Sequence, residues 1–455
     1  MAKLTFEAFR DELFAQAKAK GFTDYELYYS AGNSFSVRVF KGEISEYKNT
    51  HTEGAGFRGT YSIGKMGYAY TENLDSDLIP AILDNAIKNA SIIEDNEVEK
   101  LYPGDDKYPE VNTFSPALDT VDTAQKIEWA LEMEKYALSL DPKVKMADYC
   151  TIVTGESTTA IANSYGLNVS RKYNIARAFM IARVEENGIT KSADESWTGR
   201  DFADFDYKKL VEKAVCKALS YLGAESIPSG QYPVLLNQDA AKDIFGVFTP
   251  IFLAERCQKG FSLLNKSKIG EAIAAPHITL RDDGVTDLSL GSIAFDAEGV
   301  ATQNKAVIEN GVLKTLLYNT KSASKDGVKS TGNASKDGFG GAIATSTANF
   351  YLVPGEKSYD EIMQGLNKGV IITDMAGLHS GVNAISGDFS VSAEGYFVEN
   401  GKIVKPIEQI TVAGNFYELL KNIETVGADL RFHSLGVGGI GMPSVLVNGL
   451  NISGL

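Results

Sequence analysis

Apolar residues near the start of the chain recur at helical spacing. Phe6, Phe9, Leu13 and Ala17 form a stripe, with Ala19 close by, and Gly21 ends it. From Tyr25 to Thr71 the pattern turns β-rich. Tyr25–Ser30, Ser34–Phe40, Glu43–Lys48, Gly54–Tyr61 and Met66–Thr71 are separated by turn formers such as Gly32-Asn33 and Lys41-Gly42, which predicts an antiparallel meander. Asp75–Ile93 returns to helical spacing through Leu78, Ile82, Ile87 and Ala90. The same order then recurs. Asp122 is placed to cap a helix running to about Leu140, a β-rich block spans Val144 to Trp197, and a helix over Tyr207–Leu222 stops at Gly223. Helix, meander, helix, occurring twice, predicts an N-terminal α+β domain over residues 1–226 built of two similar halves.

Ser226–Gly230 reads as a linker into a β-dominated domain over 227–455, so the expected fold class is α+β. There Tyr232–Asn237 reads as a strand, and Asp239–Lys259 as a helix kinked or broken at Pro250. Asn310-Gly311, Asn400-Gly401 and Asn448-Gly449, like Asn187-Gly188 earlier, carry the signature of two-residue hairpin turns. One helix is expected at Tyr359–Gly369, and the Gly-rich stretch Gly332–Gly341 is expected to be an ordered but mobile loop.

Charge narrows the function classes. With 44 Lys and Arg against 59 Asp and Glu, the net charge is −15, and the basic residues form no long run. Contact with nucleic acid or anionic lipid is therefore disfavoured. Glu7, Asp11 and Glu12 interrupt the N-terminus before a signal-peptide core could form, and no apolar stretch approaches the ~18 residues of a membrane span. The cysteines Cys150, Cys216 and Cys257 lie far apart, without CxxC and in odd number, as expected of a reducing cytoplasm.

The chemistry is sparse. His51, His277, His379 and His433 are the only histidines and no two share a helical turn, so a zinc site would have to be assembled in space from His379, His433 and a carboxylate such as Asp388. Separate surface or loop histidines are the plainer reading. Gly436–Gly441 matches GxGxxG but is followed by Pro443 and a β-branched run instead of a helix, and Lys329-Ser330-Thr331 lacks the glycines of a phosphate loop. No Gly-x-Ser-x-Gly is present, and Ser380 is merely adjacent to His379. More pointed is Gly387–Gly395, where strand alternation puts Asp388, Ser390, Ser392 and Glu394 on one face. That stripe is either a solvated sheet face or a groove wall for a peptide or a subunit. His379, Asp388 and Glu394 are the catalytic candidates, and Ser390, Ser392, Gly338 and Gly340 the contact candidates.

Five segments together resemble the TldD/PmbA family, once labelled modulators of DNA gyrase and grouped with metallopeptidases. They are Phe295–Val300, Lys329–Ala334, the Gly387–Gly395 stripe running into Val398–Gly401, Gln409–Asn415 and Glu424–Asp429. In that family, TldD-like members bind zinc through His-Glu-x-x-x-His on a helix and a Cys near the C-terminus, the Glu activating metal-bound water. Here the corresponding helix, about Asp239–Lys259, has no histidine, and no cysteine follows Cys257. The resemblance therefore implies the PmbA branch, also called TldE, whose members pair with TldD. It implies a subunit with no metal or other cofactor of its own, the zinc lying on a TldD-like partner. The pair would act as a cytoplasmic protease on unfolded peptides, in leader-peptide removal and antitoxin turnover. The alternatives are an autonomous hydrolase using Asp388 and Glu394 with His379, and a non-enzymatic, homodimeric binding protein.

Overall fold

A computed structural model of the chain describes residues 3–61, 64–92, 100–287, 289–433 and 438–455. Its N-terminal half is one twisted antiparallel sheet in the order β3-β2-β1-β4-β5-β6, with β1 Asp24–Phe40, β2 Glu43–Thr60, β3 Met66–Thr71, β4 Val144–Asn163, β5 Asn168–Glu186 and β6 Ile189–Gly199. Each half of the chain order supplies a three-stranded meander, and the two meet where β1 pairs with β4. Helices cover the faces. Phe9, Leu13 and Ala17 of α1 (Phe6–Lys20) and Ile79, Ile82 and Leu83 of α2 (Ile79–Ile92) pack on the first meander. Ala130 and Met133 of α3 (Thr123–Leu140) and Leu210, Val211 and Ala214 of α4 (Tyr207–Ser220) pack on the second. Asp122 caps α3, accepting from the Gln125 amide at 2.8 Å, and Gly223 takes a positive φ after α4. Ile93, the expected end of α2, lies outside the described residues.

The five short strands expected before Thr71 are three, because Tyr25–Ser30 and Ser34–Phe40 join in β1 and Glu43–Lys48 runs on through Gly54 in β2. Gly32-Asn33 does not turn. β1 runs straight through it, pairing Gly32 with Thr52 on one side and Ser157 on the other, and a Cβ at Gly32 would meet the Glu156 carbonyl at 2.9 Å. Its glycine serves close approach of a neighbouring strand. Lys41-Gly42 does turn, with φ of 56° and 74°, and so does Asn187-Gly188, at 52° and 78°.

In the C-terminal half, β7 (Gly230–Leu236) pairs with a parallel strand, Lys368–Ala376, and with antiparallel Val445–Ser453. Asp388–Glu399 and Lys402–Asn415 continue the sheet, and the latter pairs with Val445–Ser453, closing the strands into a ring. The ring is packed by α5 (Gln238–Phe248) through Ile244, Phe245 and Phe248. A single-turn 3-10 segment, Thr249–Phe252, breaks the expected helix at Pro250 before Ala254–Gln258. The helix expected at Tyr359–Gly369 ends at Gly365, and two further helices, Thr320–Asp326 and Phe416–Asn422, were not expected. Asn310-Gly311 and Asn400-Gly401 are hairpin turns, whereas Asn448-Gly449 is a bulge within one strand, the register shifting between Val447 and Leu450. Among the described residues no helix is long and apolar enough to cross a membrane.

Candidate functional site: an interdomain cleft

The two halves enclose a cleft of about 710 Å³. β6 forms one wall. It is the outer strand of its sheet, and the consecutive side chains Asp194–Thr198 all border the cleft, which places its unpaired edge there. Arg177 and Phe179 of β5 and Lys213 and Lys217 of α4 flank it, while α5 faces it with Gln238, Asp239, Lys242 and Asp243. Asn237 caps α5, its side chain accepting from the Ala240 amide at 2.9 Å, so the first turn of the helix opens onto the cleft. Arg431, Phe432 and His433 complete the wall.

Ion pairs stitch the cleft across the domains. Arg431 meets Glu195 at 2.7 Å and Asp239 at 3.9 Å, and Lys217 reaches Asp239 at 3.7 Å. His433 Nε2 lies 3.5 Å from Asp239. Burial, with Arg431, Lys242 and Lys217 nearby, outweighs Asp239 and pulls the His433 pKa down to about 4, so the ring is neutral at pH 7. Burial also holds the Asp374 carboxyl above its ordinary range, against Lys217, and that of Asp243 likewise, against its 2.7 Å contact with Lys242.

These donors do not fit zinc. Read at the spacing of His-Glu-x-x-x-His, the first two turns of α5 offer Gln238, Asp239 and Asp243, and the carboxylates are engaged by Lys217, Arg431 and Lys242. Such cations oppose a divalent ion. Among the described residues no three His, Cys, Asp or Glu side chains gather as a metal site requires. His433 sits against Asp239, not with His379 or Asp388.

The residues singled out from sequence are spread apart. His379 is exposed in the turn Gly377–Gly381, without hydrogen bond or ion pair to Asp388 or Glu394. Asp388 is exposed and accepts from Ser386 at 2.7 Å and Asn415 at 2.8 Å, bonds that hold its carboxyl below its usual range and brace the loop before the strand. Ser390 and Ser392 face outward between buried Phe389, Val391 and Ala393, as alternation predicts. Glu394 differs: it is half-buried directly across from Asp374, and burial raises its pKa, with Lys191 opposing and Asp374 and Glu408 adding to the rise. One end of the stripe thus reaches the cleft through Asp374, and the other is surface. Gly338 and Gly340 belong to neither. Ala334–Lys336 and Ile343–Thr345 form a hairpin whose Phe339 packs on Tyr70, 6.1 Å between ring centres, so the Gly-rich stretch is ordered, as expected, but partly paired as a strand and docked on the N-terminal sheet. The main residues missed were Asp239, Asp374 and Arg431, while His433 was singled out but with His379 and Asp388 as companions instead of Asp239. The polar first turn of α5, beneath an apolar stripe, was the available signal.

Known proteins are similar along nearly the whole chain. Family models match in chain order: PmbA/TldA metallopeptidase domain 1 over residues 25–91, the central domain over 116–222 and the C-terminal domain over 229–454. The metalloprotease PmbA of Escherichia coli is 29% identical over 75% of this chain and 73% of its own. The metalloprotease TldD homolog of Buchnera aphidicola is 31% identical over 95% of this chain and 93% of its own. A crystal structure of a Thermotoga maritima protein, titled as a candidate modulator of a DNA gyrase, is 33% identical with a TM-score of 0.89, covering 99% of this chain and 100% of that one. The chain belongs to the PmbA/TldD metallopeptidase family.

Proposed function

We propose that this chain is the PmbA/TldE-type subunit of a cytoplasmic TldD–TldE-type zinc metalloprotease. It supplies no zinc ligand, pairs with a TldD-like chain, and forms part of the chamber in which unfolded peptides are held. Leader-peptide maturation and antitoxin turnover are the fitting roles. Overall identity does not separate the branches, since PmbA and TldD relatives match about equally at 29% and 31%. The observation that carries the reading is α5. It lines the cleft where the family's zinc helix is expected, yet it bears no histidine and its carboxylates are held by Lys217, Lys242 and Arg431. The edge of β6 offers main-chain donors and acceptors to an extended peptide, a mode that is tolerant of sequence.

The test is reconstitution. This chain and a TldD-like chain bearing the motif are purified separately, mixed, and followed by light scattering and by cleavage of an unfolded peptide. An equimolar complex that cleaves, with no cleavage by this chain alone, is expected. Stoichiometric zinc and peptidase activity on the isolated chain would overturn the proposal.

A further inference from the structure

A second cavity, of about 290 Å³, lies where the Ala334–Thr345 hairpin covers the junction of β1, β4 and β5, away from the cleft. Its size is near the lower end of small-ligand sites, about 300 Å³. Tyr28, Thr159, Arg171, Asp296, Lys336 and Ser346 are among its lining.

Two cations, Arg171 and Lys336, line the cavity. Lys336 Nζ stands 4.8 Å from the centre of the Tyr28 ring, and neither it nor Arg171 has a salt bridge among the described residues. Arg171 donates to the Phe295 carbonyl, and its guanidinium lies 4.9 Å from the Phe295 ring centre. Burial, reinforced by nearby Arg58 and opposed by Glu26, draws the Lys336 pKa down to about 8, and burial lowers that of Arg171 against the opposing influence of Tyr28 and Asp296. Asp296, the one acid in the lining, is committed elsewhere. Its oxygens accept the amides of Glu298 at 2.8 Å, Val300 at 3.0 Å and Ala334 at 2.9 Å. Burial and the neighbouring Glu298 push its carboxyl up to about 7. Hydroxyls of Tyr28, Thr159 and Ser346 supply neutral donors around the same space.

Drawing two cations out of water without a salt bridge is costly, and an anionic ligand recovers that cost through charge-assisted hydrogen bonds. We propose that this cavity is a binding site for a small oxyanion, of the size of phosphate or a short dicarboxylate, held by the Arg171 guanidinium and the Lys336 ammonium beneath the hairpin. The site stands independently of the peptidase reading, since none of its lining borders the cleft.

The experiment uses the purified full chain at constant ionic strength, with chloride as the balancing anion. Inorganic phosphate and succinate are titrated separately, read by calorimetry and by melting temperature. At about 100 times its dissociation constant a bound probe should raise the melting temperature by roughly 2–4 °C. Lys336→Gln and Arg171→Gln should each weaken binding about 10-fold or more, with the far-ultraviolet spectrum unchanged. A response to phosphate alone assigns a phosphate site and to succinate alone a carboxylate site. Silence from both probes, or equal responses in the wild-type chain and a folded variant, would sink the proposal.

Discussion

Two charged seams join the N-terminal sheet to the C-terminal half, and they treat charge in opposite ways. In the seam centred on Arg58, nothing is left to solvent. Arg58, Glu26 and Glu298 are 5%, 2% and 2% exposed, with Arg58 Nε 2.7 Å from Glu26 and Nη1 3.9 Å from Glu298. Glu298 is further anchored by the Thr320 amide at 2.7 Å. Burial works against the Arg58 charge, but both carboxylates more than offset it and hold its pKa above the usual value. In the cleft, by contrast, Arg431 and Asp239 are about a third exposed, at 33% and 28%, and share several partners at longer range. The first seam suits a fixed joint. The second suits a surface that can exchange its ion pairs for those of a ligand or subunit.

The hardest blow to that comparison would be a tolerant Arg58. Arg58→Ala strands Glu26 and Glu298 as buried acids, and the expected loss is about 3–5 kcal/mol of stability in denaturant unfolding. A loss below about 1 kcal/mol would mean that the fixed seam is in practice as yielding as the cleft.

Next in size is the acid response of the cleft. His433 has its pKa lowered from 6.5 to about 4 in the folded chain, so between those values the unfolded state binds more protons. Stability contributed by the neutral ring is present above pH 6.5 and is lost as pH falls through about 4. The expected loss is about 2–3 kcal/mol, followed by unfolding at stepped pH. His433→Gln should flatten the profile across this window. An unchanged profile in that variant would shift the acid sensitivity to other groups.

Reading the sequence revealed whichever features depend on neighbours along the chain. Asp122 capping α3, the positive-φ Lys41-Gly42 turn and the outward Ser390 and Ser392 are all local consequences of residue type. Gly32 and Asn448-Gly449 misled because a glycine signals freedom without saying whether it is used for a turn, a bulge or close approach, and the adjoining strand decides. The stripe containing Asp388 and Glu394 was legible as a face, but its two ends diverge because only Glu394 lies opposite Asp374. His433 and Asp239 are 194 residues apart in number, and only the packing of Arg431–His433 beside α5 unites them. No periodicity carries that contact.

The smallest expected effect sharpens the comparison most. Arg431→Ala removes the 2.7 Å contact with Glu195 across the cleft, yet the partners are partly solvated and Lys217 remains beside Asp239. The cost in stability should be about 1 kcal/mol or less. If the cleft is a surface kept adjustable for binding, the same substitution should act mainly there, changing association with a TldD-like chain or an extended peptide by about 10-fold through rim electrostatics, most visibly at low salt. Calorimetry of folding and of binding on one variant separates the two. A stability loss near that of Arg58→Ala, with binding untouched, would make the cleft a second structural joint.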